Sequence, residues 1–263
     1  MSLTAYERVK IARSEKRPTG LDYINNIFKG FYEFHGDRFY ADDTAVVGGI
    51  AYLEKKPVTV IAIEKGHSAK ERAFRSFGMP NPEGYRKSLR LMKQAEKFHR
   101  PVICFVDTAG AFCGIGAEER GQGEAISKNL TEMMTLNTPV VSIFVGEGGS
   151  GGALALAVSD RVWMLENAVY SVISPEGCAS ILWKDASKAS AAASNLKMTA
   201  QDAKNFGIIE EIISEEEIGK PVFYDNIKEK LNTEISLLMN ESGLLEKRYE
   251  RFRTIGRPLV QGE

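Results

Sequence analysis

The run Gly146-Glu147-Gly148-Gly149-Ser150-Gly151-Gly152 separates an apolar, β-branched stretch (residues 140–145) from a small-residue stretch (residues 153–158). A strand that breaks into glycines and re-enters as a helix leaves backbone N–H groups without intrahelical partners, and a positive partial charge beside them. Glycine also removes the side chains that would hold a ligand away. The segment is therefore suited to an oxyanion, a phosphate or a dinucleotide.

Three chemistries fit the same glycines. Residues 148–152 match G-x-S-x-G, in which Ser150 would attack an ester or amide. In that chain order the histidine base follows the serine, whereas His35, His67 and His99 all precede it. Residues 146–151 also match G-x-G-x-x-G, with Glu166 at the distance expected of a ribose-binding acid. A short crossover helix and a second strand-to-glycine unit just upstream weaken that reading. The third is an oxyanion hole made by the N–H groups of Gly151 and Gly152, with Gly148 and Gly149 shaping the cradle and no side-chain nucleophile. Close packing of a small-residue helix on a sheet would account for Ala153, Ala155 and Ala157 without any ligand.

Residues 107–121 repeat the pattern. After a strand, Gly110, Ala111 and Gly114 present backbone to whatever the later turn binds, and two such turns on successive strands mark the edge where α/β sheets place ligands. Glu118 and Glu119 read as helix N-terminal charges favoured by the macrodipole. Asp107 reads as a loop hydrogen-bonding residue, and Cys113 as a small turn residue rather than a nucleophile. Arg72 and Arg75 flank a Pro/Gly-rich loop outside the regular helix and are candidates for a carboxylate or phosphate. A solvated helix face explains Lys87 and Arg90 equally well.

These turns need a frame. Residues 5–13 and 21–31 read as helices, and residues 45–53 and 58–64 as an antiparallel hairpin. Residues 83–98 form an amphipathic helix with Tyr85, Leu89, Met92 and Ala95 near one face. A strand over 102–106, a helix over 118–136, a strand over 140–145, a helix through 158 and a strand over 161–165 follow. Residues 198–207 read as a helix, 208–213 as a strand, and 225–240 and 244–252 as charged helices. The alternation indicates an α/β architecture. With 263 residues and 43% hydrophobic content, a single domain is expected: a helical N-terminal segment (1–44), a core (45–213) and C-terminal helices (214–263).

A net charge of −1 argues against a whole-chain nucleic-acid or membrane-surface binder. Cys104, Cys113 and Cys178 form no C-x-x-C pair, so neither a zinc ribbon nor a disulfide framework is indicated. No apolar run approaches a membrane span, and residues 1–17 lack the apolar core of a signal peptide. A cytoplasmic location is expected.

Residues 75–126 resemble the carboxyltransferase alpha subunit of bacterial acetyl-CoA carboxylase, through Asn81-Pro82-Glu83-Gly84-Tyr85-Arg86-Lys87, Asp107-Thr108-Ala109-Gly110-Ala111 and Gly116-Ala117-Glu118-Glu119-Arg120-Gly121-Gln122. Residues 146–155 and 170–184 resemble it too. Ala109 and Cys113 depart from the proline common at both positions, which affects loop stiffness. The resemblance implies a crotonase-like spiral of repeated ββα units with helical N- and C-terminal extensions. It implies transfer of a carboxyl group from carboxybiotin, on a biotin carboxyl carrier protein, to acetyl-CoA, giving malonyl-CoA for fatty acid synthesis. It also implies a zinc-containing beta subunit of the same fold, a heterotetramer with two copies of each, a biotin carboxylase partner in an ATP-dependent complex, and no metal in this chain. By likeness to two-lobed carboxyltransferases, the Gly151 and Gly152 N–H groups would serve biotin, and beta would supply the other hole and most CoA contacts. A free-standing acyl-CoA hydratase or isomerase, using Glu118 or Glu176, a dinucleotide-dependent oxidoreductase using Glu166, and a non-catalytic scaffold subunit are the alternatives.

Overall fold

The computed structural model describes residues 3–256. It opens with helix α1 (Ala5–Ala12), where the Thr4 hydroxyl accepts from the Glu7 N–H and the Glu7 carboxylate accepts from the Thr4 N–H. At the start of helix α2 (Gly20–Ile27) the Asp22 carboxylate accepts from the Thr19 N–H, and the Asp22 N–H donates to the Thr19 carbonyl. The helix expected over 21–31 stops at Ile27. Phe28 is already extended, at φ −111° and ψ 160°, and the chain enters edge strand β1 (Lys29–Glu33), in which Gly30 takes a positive φ of 61° at the register shift between Lys29 and Tyr32. Strands β2 (Val46–Leu53) and β3 (Lys56–Ile63) pair antiparallel from Val46↔Ile63 to Leu53↔Lys56, around a turn in which Glu54 is left-handed.

The rest alternates helices with parallel strands. In chain order come α3 (Ala69–Phe74), α4 (Pro82–Lys97), β4 (Val102–Thr108), α5 (Ile115–Glu119), α6 (Gln122–Met134), β5 (Val140–Gly149), α7 (Ser150–Leu154), β6 (Arg161–Leu165), β7 (Val169–Ser171), α8 (Pro175–Trp183), α9 (Ala189–Leu196), α10 (Ala200–Asn205), β8 (Glu211–Ile213), α11 (Pro221–Met239) and α12 (Leu244–Thr254). The sheet runs β1-β2-β3-β4-β5-β6-β8, with β7 paired to the far end of β5. Every residue of β4 is buried, as expected of a parallel strand covered on both faces.

Three departures from the sequence reading bear on the site. The helix expected over 118–136 is split, because Gly121 at φ 82° cannot continue α5 into α6. The strand expected over 140–145 runs on to Gly149, so the first glycines of the motif are strand residues. The helix expected through 158 is the five-residue α7. Strand β7 and helices α3, α8 and α9 lie where no element was expected.

One face of the sheet is closed by an aromatic group in which Tyr23 of α2 stacks on Phe105 of β4 at 5.1 Å and meets Phe223 and Tyr224 of α11 edge-on. Helix α12 is anchored differently. Its one buried residue is Arg248, which donates to the carbonyls of Met133, Leu136 and Thr138 and to both carboxylate oxygens of Asp160. Among the described residues no helix is long and apolar enough to cross a membrane.

Removing the arginine would leave Asp160 as a buried, uncompensated charge and strand three carbonyls. Arg248→Met is expected to cost about 3–5 kcal/mol in urea unfolding, while Arg253→Met, exposed on the same helix, should stay within about 0.5 kcal/mol. Equal midpoints for the two variants would show that the buried pair does not hold α12.

Candidate active site

Strands β4 and β5 lie side by side and end on the same edge of the sheet, so the loops that leave them meet. Their register runs evenly to Val106↔Phe144 and then jumps to Thr108↔Gly148, leaving Asp107 alone opposite Val145, Gly146 and Glu147. The Asp107 carboxylate fills that bulge and accepts from the Glu147 N–H at 2.8 Å. A β-carbon on Gly146 would stand 2.3 Å from Asp107 Oδ1. Glycine is required there by close approach.

Further along, the two turns press backbone on backbone. A β-carbon on Gly149 would lie 2.1 Å from the Ala109 carbonyl oxygen, and one on Gly152 would lie 2.5 Å from the Ala111 nitrogen. By contrast, nothing lies within 4 Å of that position on Gly110, and on Gly151 only Ile126 Cγ2 does, at 3.4 Å. The seam is tight at Gly149 and Gly152 and open at Gly110. Gly148 is buried against the rings of Phe144 and Tyr170, and Gly114 caps α5 beside the Phe112 ring. Packing accounts for both of these glycines.

In the first turn the Gly110 N–H is taken by Thr108 Oγ1 and the Phe112 N–H by the Pro80 carbonyl. Among the described residues the Ala111 N–H between them has no hydrogen-bond partner. Across the seam, Gly151 and Gly152 occupy the first turn of α7, where N–H groups precede the first intrahelical acceptor. The arrangement suits an anionic oxygen. Ser150 beside them is exposed and left-handed at φ 52°.

Most of the side chains proposed for rival chemistries are engaged elsewhere. His35 pairs with Asp42 and His67 with Asp22, each at 2.9 Å, and His99 follows α4 at the opposite end of β4. Glu166 sits 4.0 Å from Arg8. Glu176 pairs with Arg13 at 2.9 Å and accepts from the Tyr6 hydroxyl. Glu118 is an exposed first-turn residue of α5. With Gly146 to Gly149 in a strand and α7 only five residues long, the dinucleotide fingerprint lacks its loop and its helix.

Behind the seam lies an ionic lattice that the sequence did not disclose. Lys65, following β3, reaches Asp107 at 2.5 Å and Glu147 at 3.2 Å, and Glu147 continues to Arg13 at 2.7 Å. Arg17 donates to the Val145 carbonyl and to Glu215. Burial works to raise the Glu147 carboxyl, but Lys65 and Arg13 outweigh it and hold the group below its ordinary value. Burial likewise works against the Lys65 charge, and Asp107 and Glu147 raise it instead. The parts were visible as single charged residues; their partners are up to 198 residues away, beyond any local pattern.

Cavities open on two sides. A polar one of 290 Å³ is lined by Lys65, Arg13, Asp107, Glu147 and Arg72. An apolar one of 510 Å³ has Ser150 and Gly151 at its edge, walls that include Leu154, Tyr170 and Phe252, and the cation Arg251. Arg72, expected outside a helix, lies on α3 and donates to the Gly66 carbonyl and to Glu15. Arg75 ends α3 and spends its guanidinium on the Thr44 carbonyl and the Phe74 ring. Of the two arginines only Arg72 lines the polar cavity. Among the described residues no three His, Cys, Asp or Glu side chains come together as a metal site.

Comparison with known proteins adds a family. The family described as acetyl co-enzyme A carboxylase carboxyltransferase-like matches residues 1–256. The chain is 59% identical over 261 residues to the acetyl-coenzyme A carboxylase carboxyl transferase subunits beta/alpha of Natranaerobius thermophilus, covering 97% of itself but 43% of that longer protein. It is 58% identical to the subunit alpha of a Clostridium botulinum strain, covering 95% of itself and 94% of the relative. A Pseudomonas malonate decarboxylase hetero-tetramer, solved with coenzyme A, has a chain of the same fold, with TM-score 0.72, 15% identity, and coverage of 90% of this chain and 96% of that one. The fold is the crotonase-like α/β spiral.

Two measurements test the seam and its lattice. Gly149→Ala should cost about 3 kcal/mol or more, since the Ala109 carbonyl cannot retreat without parting the turns. Gly123→Ala, on the open face of α6 with nothing within 4 Å, should stabilise by about 0.5–1 kcal/mol; a similar outcome for both would deny the close contact. Because folding lowers the Glu147 pKa, its contribution is present above the ordinary value of 4.5 and is lost as pH falls through the lower folded value. Glu147→Gln should therefore flatten the acid limb of a stability–pH curve, and an unchanged limb would remove Glu147 from the lattice.

Proposed function

The chain belongs to the acetyl-CoA carboxylase carboxyltransferase family, and from that premise we propose that it is the alpha half of an acetyl-CoA carboxyltransferase, passing a carboxyl group from carboxybiotin to acetyl-CoA to give malonyl-CoA. The observation that carries this is the seam, where two turns from adjacent parallel strands meet backbone to backbone with donors on both sides. When bound, carboxybiotin supplies the carboxyl group and a ureido oxygen that gathers negative charge. The open face at Gly110 leaves room for such a group. The Gly151 and Gly152 N–H groups hold the developing charge, Ala111 faces them, and Gly149 keeps the turns in contact. Fixed donors aimed at a developing oxyanion need no titrating side chain, which agrees with His35 and His67 paired to carboxylates and His99 at the opposite end of β4.

The partner that this reading requires is a beta chain, which would supply the second hole, most CoA contacts and the zinc; this chain is assigned no metal. Alpha and beta are joined in the Natranaerobius relative, by its name. Two alpha and two beta chains would work in the cytoplasm with a biotin carboxyl carrier protein and biotin carboxylase, in an ATP-dependent complex feeding fatty acid synthesis. Residues 1–263 act as one carboxyltransferase domain in this reading, with Arg72 at the margin of the site and Arg75 outside it.

Malonyl-CoA formation by the chain mixed with its beta partner is the direct test, and the chain alone is expected to be inactive because one hole cannot hold two oxyanions. Ser150→Ala should retain transfer, since Ser150 is a turn residue here. Gly152→Val should lose about 10²- to 10³-fold, the equivalent of roughly 2.7–4 kcal/mol for a lost oxyanion donor, with assembly checked by size-exclusion chromatography. Gly177→Ala, in the first turn of α8, should lose less. An assembled Gly152→Val complex at the wild-type rate, or labelling of Ser150 by a fluorophosphonate together with loss of turnover in Ser150→Ala, would sink the proposal.

A further inference from the structure

Four buried side-chain atoms lack a hydrogen-bond partner among the described residues: Tyr23 Oη, Tyr85 Oη, Gln122 Oε1 and Asn129 Oδ1. Tyr85 is the one placed at the seam. Its ring leaves α4 with no exposure to solvent and packs against Ala125 and Ala155. Its hydroxyl lies 2.8 Å from the point a Gly152 β-carbon would occupy, and that same point is 2.5 Å from the Ala111 nitrogen and 2.9 Å from the Gly110 carbonyl carbon. The phenol thus arrives where the two turns touch. Burial, helped by the nearby Asp43 carboxylate, pushes its pKa far up, so the group keeps its proton throughout the neutral range.

A buried hydroxyl without an acceptor is unfavourable, and phenylalanine would fill the same space without that cost. No acceptor makes a hydrogen bond with it, while the adjoining backbone carries the unpaired N–H of Ala111 and the first-turn N–H groups of α7. We propose that the Tyr85 hydroxyl is a side-chain donor of the oxyanion site, finding its acceptor when a negatively charged oxygen is bound by the N–H groups of the two turns. The assignment rests on the carboxyltransferase reading of the same turns. It adds to the backbone hole a donor that can be removed by substitution without altering the main chain.

The experiment compares Tyr85→Phe with Tyr23→Phe in the assembled alpha–beta complex. Tyr23 is the other partnerless phenol, and it sits in the aromatic group on the far side of β4 from α4. Tyr85→Phe should melt at or above the wild-type temperature, because the hydroxyl has no partner in the free protein. It should lose about 10²-fold in kcat with KM for acetyl-CoA changed less than about threefold, and the pH profile should keep its shape. Tyr23→Phe should keep the wild-type kcat. A wild-type kcat in Tyr85→Phe would overturn the proposal, as would a lowered melting temperature with kcat and KM falling together, the mark of a packing role. A wild-type complex that makes no malonyl-CoA would overturn the carboxyltransferase reading instead; the melting comparison would still decide whether the Tyr85 hydroxyl lacks a partner, and a lower value in Tyr85→Phe would defeat the assignment independently.

Discussion

Lys65 stands between two carboxylates, and its single positive charge determines how the sheet ends where the turns begin. Asp107 and Glu147 come from neighbouring strands and face one another across a bulge. Two largely buried carboxylates that close would drive one of them to take up a proton, and the hydrogen bonds fixing the bulge would change with it. Lys65 offsets that repulsion and, with Arg13, holds the Glu147 carboxyl below its ordinary value, and Arg13 carries the lattice on to α1 and α8. Desolvation makes such lattices a poor source of net stability. What this one supplies is position, since it clamps the ends of β3, β4 and β5 immediately below the seam.

The site therefore divides its work between side chains that hold and main chain whose N–H groups are left free to donate. Glycine takes two opposite parts in this. At Gly149 and Gly152 its lack of a side chain lets two backbones touch, whereas at Gly110 it leaves a face clear. A composition-based reading sees only an abundance of one residue. The difference lies in what stands opposite each Cα, which depends on the register of β4 against β5.

Much of this was legible before the fold was known. Strand β6 and the β2–β3 hairpin followed from β-branched runs, and the helices flanking the site from apolar periodicity and caps. That the chain turns at Ala111 and at Gly151 and Gly152 followed from the glycines themselves. Edge strand β1 did not, because the helical character read over 21–31 gives way at Phe28 to pairing with β2. Helix α9 is alanine- and serine-rich and shows little apolar period, although α8 carries readable signals in the Ser174 cap and Pro175 at its first position. Arg75 looked like a ligand group by composition and is spent on a carbonyl cap. Lys65 had no local signature, since its partners are set by topology.

Arg248 has a consequence for how the cavity comes into being. The anchor fixes α12 against the end of α6 and the start of β5, and one turn further on the same helix contributes Arg251 and Phe252 to the apolar wall beside Ser150 and Gly151. Synthesis runs from the N-terminus, so both glycine turns and the strands that carry them leave the ribosome before the residue that sets this wall. A nascent chain ending short of Arg248 would hold the seam but only part of the cavity. The glycine turns and the apolar chamber are thus separate achievements of the chain, the second completed only when α12 docks.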